Sequence, residues 1–296
     1  MSQPIIEVRD LSRKFKHTQA LDSISLDIPA GGVFGLVGEN GAGKTTLIKH
    51  ILGLLKPQSG AINVFGIDPV KKPEDVLARI GYLSEERDLP DWLTIRELMD
   101  YSSAFYSGWD HELTNSLIDS FQLEPNQKIR SLSRGQRARV GLINAAAHRP
   151  ELLLLDEPSS GLDPSVRRDI LGEIIRSVAD AGRTVLFSSH LLDEVQRVSD
   201  RIAMIHQGKL ILFDEVEAIL SSHHRVVLRF ESQREAAPEF PGVLHWSGSG
   251  QEWAALCNGQ LETLKSAASA GGAEIVEQSA ATLDDVFVAY TSGSSK

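Results

Sequence analysis

Eight consecutive residues, Gly38-Glu39-Asn40-Gly41-Ala42-Gly43-Lys44-Thr45, carry the clearest chemistry in the chain. They fit G-x-x-x-x-G-K-[ST], in which glycines let the backbone curl until its N–H groups converge on phosphate oxygens. The spacing assigns Lys44 to the β- and γ-phosphates and Thr45 to Mg²⁺. A glycine-rich turn that bound nothing would not need Lys and Thr at its end. A second candidate is Asp156-Glu157, which follows four leucines at 152–155. An acid ending a buried strand suits Mg²⁺ held through water, and the next carboxylate can take a proton from water attacking a γ-phosphate. Alone, Asp-Glu-Pro after a strand is more often just a polar loop; the phosphate loop upstream gives the Mg²⁺ reading its weight. Ser133 and Gln136 form a Ser-x-x-Gln capping box, and with Gly135 between them the same helix start offers N–H groups and a dipole end to a phosphate.

These residues need strands and helices to hold them. Ile24, Leu26 and Ile28 alternate with Ser25 and Asp27, the period of a half-buried strand. The runs 33–37, 152–155 and 185–187 are nearly continuous apolar, as parallel strands covered on both faces are. A helix is expected over 45–55, directly after the phosphate loop. Helical patterns dominate about 91–147, opened by a Thr94-x-x-Glu97 capping box. Strands at 202–205 and 209–213 turn at Gln207-Gly208, and the polar, His-bearing stretch 221–224 is expected to mark a boundary. Beyond it, strands are expected at 226–230, 243–246 and 253–256, and helices at 261–270 and 282–290. The tail from Ser292 reads as disordered.

The 296 residues suffice for one large domain or for a domain of about 200 residues plus a small one. The net charge of −10 opposes attraction to phosphate backbones, so no nucleic-acid partner is expected. Arg130, Arg134, Arg137 and Arg139 form the densest basic patch, beside the phosphate-site element at Ser133. A lone cysteine, Cys257, excludes an internal disulfide, and no Cys/His cluster has zinc-site spacing. The longest stretch free of polar side chains, 28–38, falls well short of the ~20 residues that cross a bilayer. No secretory signal opens the sequence, so a cytosolic location is expected.

Taken together, the motifs resemble those of the ATP-binding subunit of an ATP-binding-cassette (ABC) transporter, in order and spacing, over about residues 4–214. Residues 38–45 resemble the Walker A loop, 152–156 with Glu157 the Walker B strand and catalytic glutamate, and 132–136 the signature sequence. Ser160-Gly161-Leu162-Asp163 resembles the D-loop, Ser189-His190 the switch histidine, and 80–85 the Q-loop region. Phe15 stands where the family places an aromatic ring against adenine. Alone, His190 reads as a loop histidine, Asp163 as a helix cap and Phe15 as core packing. The resemblance implies an α/β P-loop NTPase of ABC type with a helical insert, plus a small C-terminal α+β domain. The expected division is 1–220, with a helical subdomain at about 88–148, and 221–296. Implied nucleotide contacts are Phe15, Gly38, Asn40, Gly41, Ala42, Gly43, Lys44, Thr45, Thr46, Ser133, Gly135, Gln136 and Asp163. Thr45, Asp156 and Glu85 are the implied metal ligands, with Glu157 and His190 catalytic and ATP and Mg²⁺ the cofactors.

Two departures stand out. Glu85 occupies the usual Q-loop glutamine position, and Arg134 precedes Gly135 in the signature, where its charge is expected to offset Glu85 at the phosphate of a facing subunit. The resemblance further implies a second nucleotide-binding subunit, identical or a paralogue, that completes each site in trans. It also implies a separate membrane permease and a peripheral place on the cytoplasmic membrane face. Residues 282–290 resemble the closing segment of drug, antibiotic or sodium exporter ATPases; they also read as an amphipathic helix. The competing readings are a soluble ABC ATPase of translation or DNA repair, and a nucleotide sensor with little turnover.

Overall fold

The computed structural model describes residues 3–163, 167, 175 and 182–292. Of the tail expected to be disordered from Ser292, Ser292 itself ends a helix, and 293–296 lie outside the described residues. The chain divides into two compact units, Met1–Phe213 and Asp214–Lys296.

In the first unit, β1 (Ile6–Phe15), β2 (Thr18–Ile28) and β4 (Ser59–Val64) form an antiparallel sheet in the order β2-β1-β4. A second sheet takes β3 (Gly32–Val37), β5 (Ile80–Leu83), β6 (Leu152–Leu155), β7 (Thr184–Ser189), β8 (Arg201–His206) and β9 (Lys209–Glu215) in the order β5-β6-β7-β3-β8-β9. Every residue of β6 and β7 is buried, which explains why these runs are apolar without alternation. Parallel register sets Leu155 level with Phe187, and Val37 with Ser189. Gly38, Asp156 and His190 therefore leave adjacent strands at one carboxyl edge, where open α/β sheets place their ligands.

Helix α1 (Lys44–Ile51) follows β3, and α2 (Pro73–Leu77) precedes β5. The helix expected over 45–55 stops earlier because Gly53 turns left-handed, φ +71°, against Pro69, whose carbonyl oxygen would lie 2.3 Å from a Cβ there. Helices α3 (Ile95–Ser103), α4 (His111–Ser120) and α5 (Arg134–Ala146) occupy the segment read as helical. Thr94 caps α3 as its spacing predicts: the Glu97 N–H donates to Thr94 Oγ1 at 3.2 Å, and the Thr94 N–H to Glu97 Oε2 at 2.7 Å. Helix α6 (Leu192–Val198) connects β7 to β8.

The second unit contains α7 (Val216–Ser222), β10 (His223–Arg234), β11 (Val243–Asn258), α8 (Leu261–Ala270), β12 (Ala273–Ala280) and α9 (Leu283–Ser292). Its antiparallel sheet runs β11-β10-β12, and Val226, Leu228 and Phe230 pack with Trp253, Leu264 and Ala268. The polar stretch 221–224 is no boundary: α7 runs straight into β10 there, and the His223 ring bonds the Ile219 carbonyl oxygen at 2.8 Å. The strands expected at 243–246 and 253–256 belong to one element with Gly248 and Gly250 at positive φ inside it. Strand β12 had no sequence signal, because most of its side chains are exposed and the alternation that marks a half-buried strand is missing.

Candidate functional site

The turn from β3 into α1 is shaped by close backbone approach. A Cβ on Gly38 would lie 2.2 Å from the Ile205 carbonyl oxygen, and one on Gly43, at φ +116°, 2.4 Å from that of Ala20. No side chain caps α1, and its first turn holds no acid, so its leading N–H groups and positive dipole end are left for an anion. An open pocket of about 290 Å³ lies here, lined by Glu39, Asn40, Gly41, Gly43, Lys44, Thr45, Thr46, Glu85 and Glu157.

Lys44 and Glu157 are only 5% exposed. The ammonium donates to the Gly38 and Glu39 carbonyl oxygens at 2.5 and 3.2 Å and pairs with Glu157 Oε1 at 3.1 Å, a charge contact without hydrogen-bond alignment. The other oxygen, Glu157 Oε2, lies 2.8 Å from His190 Nδ1. An ionised carboxylate only accepts, so Nδ1 carries a proton and Nε2 is left for a second contact. Glu157 itself sits at φ +46°, a conformation that a non-glycine residue adopts only when its surroundings impose it.

Two contacts impose it. The Glu157 N–H donates to Ser188 Oγ at 2.8 Å, while that hydroxyl donates to Asp156 Oδ1 at 2.6 Å. From the other side Arg87, 7% exposed, donates through Nη2 to the Pro158 and Ser160 carbonyl oxygens at 3.0 and 2.7 Å. Asp156 Oδ2 is buried with no hydrogen-bond donor among the described residues. A carboxylate oxygen of this kind, and the Thr45 hydroxyl on the pocket wall, are the hard oxygen donors that suit Mg²⁺. The carboxylate also pushes the half-buried Tyr82 phenol up to about 12, burial being the larger cause.

The structure thus gathers the 38–46 loop, Glu85, Asp156, Glu157 and His190. It does not bring Phe15, Ser133, Gly135, Gln136 or Asp163 to this pocket. Phe15 ends β1, 40% exposed, with the Arg13 guanidinium 4.7 Å from its ring centroid. Ser133 caps α5: its Oγ accepts from the Gln136 N–H at 3.2 Å, and its N–H donates to Gln136 Oε1 at 3.0 Å. Arg134 lies beside Gly161 of its own chain, Nη1 3.6 Å from where a Cβ would stand. Sequence reasoning missed Ser188 and Arg87. Ser188 is legible only through the register of β7 on β6, and Arg87 only through its burial.

Residues 21–160 match the family model described as ABC transporter. The chain is 36% identical over 236 residues to the ABC transporter ATP-binding protein NatA of Bacillus subtilis (strain 168), an alignment covering 76% of this chain and 96% of that protein. It is 31% identical to the daunorubicin/doxorubicin resistance ATP-binding protein DrrA of Streptomyces peucetius, over 97% of this chain and 92% of that protein. A solved structure of an ATP binding subunit of an ABC transporter superposes with a TM-score of 0.67 at 29% identity, covering 73% of this chain and 92% of that one.

Proposed function

Since this chain belongs to the ABC transporter family as an ATP-binding, ATP-hydrolysing subunit, we propose that its 38–46 loop grips the nucleotide and Glu157 is the general base. The observation that carries this reading is the placement of Glu157 between Lys44 at 3.1 Å and His190 at 2.8 Å, on the wall of the loop's pocket. A triphosphate entering the pocket offers Lys44 a larger negative charge than one carboxylate does. Lys44 turns to the phosphates, and Glu157, still held by His190, becomes available to take a proton from water. Thr45, Asp156 and Glu85 would hold Mg²⁺, which neutralises charge on the phosphate oxygens when bound. The buried Asp156 Oδ2, without a donor, supports that assignment.

Ser133, Gly135, Gln136 and Asp163 act on the nucleotide of a second subunit, and Phe15 stacks on adenine. The pocket's lining supports completion in trans, because it includes none of the α5 residues. The working unit pairs two nucleotide-binding subunits, identical or paralogous, with a separate membrane permease; the chain sits peripherally on the cytoplasmic face. Among the described residues no helix is long and apolar enough to cross a membrane, so the path across is the partner's. Export is the favoured direction, supported by the resistance protein among the relatives and by the amphipathic α9, which buries Leu283, Val286 and Phe287.

Glu157→Gln tests the assignment. The variant is expected to bind Mg-ATP with affinity near that of the unmodified protein, lose at least ~100-fold in turnover, and elute as a dimer in gel filtration with Mg-ATP. Turnover within a few-fold of the unmodified protein refutes Glu157 as the base.

A further inference from the structure

Arg87 is a buried cation that makes no ion pair among the described residues; the Glu85 carboxylate acts on it only from a distance, and burial outweighs that attraction. Burying a charge without a counter-charge is costly, and a neutral side chain of similar size would serve stability better. The guanidinium is satisfied by main-chain oxygens instead: Pro158 at 3.0 Å, Ser160 at 2.7 Å, and Glu157 at a longer 3.5 Å, all from Nη2, while Nε has no acceptor. These oxygens belong to one turn, closed by the Ser160 N–H donating to the Glu157 carbonyl oxygen at 3.0 Å, which begins at the strained Glu157 and leads to Gly161. Arg87 itself is left-handed, φ +51°, and its N–H is tied to Ser84 Oγ at 3.2 Å, so its own loop is the one carrying Glu85 and Glu86.

We infer that Arg87 is a positioning residue for ATP hydrolysis, a strut that holds the Glu157–Ser160 turn against the Glu85 loop so that the Glu157 carboxylate keeps its aim. The inference rests on the reading of Glu157 as the base. It places the residue's effect on the chemical step and not on nucleotide capture, because Arg87 does not line the pocket and touches none of the 38–46 loop's carbonyls. All three contacts come from the one Nη2, so a lysine ammonium, a point donor on a flexible stem, can keep one or two of these bonds but lacks the planar group whose buried position fixes where that nitrogen points.

The test uses the full chain in steady-state ATPase assays, with equilibrium binding of a fluorescent ATP analogue and urea unfolding measured beside them. Arg87→Met is expected to lower kcat ~10- to 100-fold, with analogue affinity within about threefold of the parent. Arg87→Lys is expected to recover a tenth to a half of the parent kcat at the same affinity. A merely structural role would instead lower affinity and kcat together, in proportion to lost folded protein, and that result overturns the inference. So does a kcat for Arg87→Met within threefold of the parent. If Arg87→Met does not fold, Arg87→Lys and Arg87→Gln decide: a kcat loss at constant affinity in both sustains the strut, and a kcat above half the parent value in Arg87→Lys, or within threefold of it in Arg87→Gln, refutes it. Glu157→Gln, run in parallel, separates the two claims. Should it turn over normally, the base assignment fails; should it be inactive while Arg87→Met is not, only the strut fails.

Discussion

Replacing Lys44 by methionine does more than empty the phosphate grip. In the nucleotide-free chain it strands Glu157, 5% exposed, without the ammonium at 3.1 Å. Removing one member of a buried pair costs about 3–5 kcal/mol, whereas neutralising both members in similar shapes is near neutral. Glu157 keeps His190 at 2.8 Å, which takes up part of its charge, so the lower end of that range applies. Lys44→Met is thus expected to destabilise the first unit by about 3 kcal/mol, and the further change Glu157→Gln to return most of that loss. The assay is a double-mutant cycle: urea unfolding of both single variants and the double, followed by the fluorescence of Trp92 and Trp109 in variants whose Trp246 and Trp253 are replaced by phenylalanine. A coupling of about 1–3 kcal/mol is expected without nucleotide. Addition of the two single effects to within about 0.5 kcal/mol refutes the pair as a stored contact that nucleotide must exchange.

Further outcomes follow from the same geometry. Glu85→Gln and Arg134→Gly are expected to change ATP turnover non-additively if Arg134 offsets the Glu85 charge; independent effects count against that compensation. Burial lowers His50, and likewise His148, below the ordinary histidine value of 6.5, so both are neutral in the folded chain and protonate more readily when it unfolds. Stability from these groups is therefore present above pH 6.5 and lost as pH falls through their lowered folded values. Urea midpoints should drop between pH 7 and 5, and the drop should shrink in the variant His50→Gln/His148→Gln; an unchanged drop assigns the acid sensitivity elsewhere. Ser133→Ala removes the Oγ that caps α5, with an expected loss of about 1 kcal/mol in urea unfolding; no measurable loss means the cap contributes nothing.

Much of this arrangement can be read from residues alone because its signals are local. Thr94 and Ser133 cap their helices as their partners three residues later predict, and the leucines of β6 betray a strand buried on both faces. The phosphate loop announces itself by spacing. What escaped reading depends on contacts far apart in sequence. Ser188 meets Asp156 only because β7 lies in register beside β6. Arg87 reaches across some seventy positions to the oxygens of Pro158 and Ser160. The early end of α1 follows from the approach of Pro69 to Gly53, which no local pattern encodes. In the second unit, the mostly exposed β12 gave neither alternation nor an apolar run.

The Ser188 hydroxyl gives its proton to Asp156 and takes one from the Glu157 main chain, so both acids hang from one oxygen atom. Any drift of that strand moves them as a couple. A cysteine substituted there would slacken both tethers at once through its longer C–S bond and poorer hydrogen bonding, turning a single-atom exchange into a dial on how firmly the two acids are held.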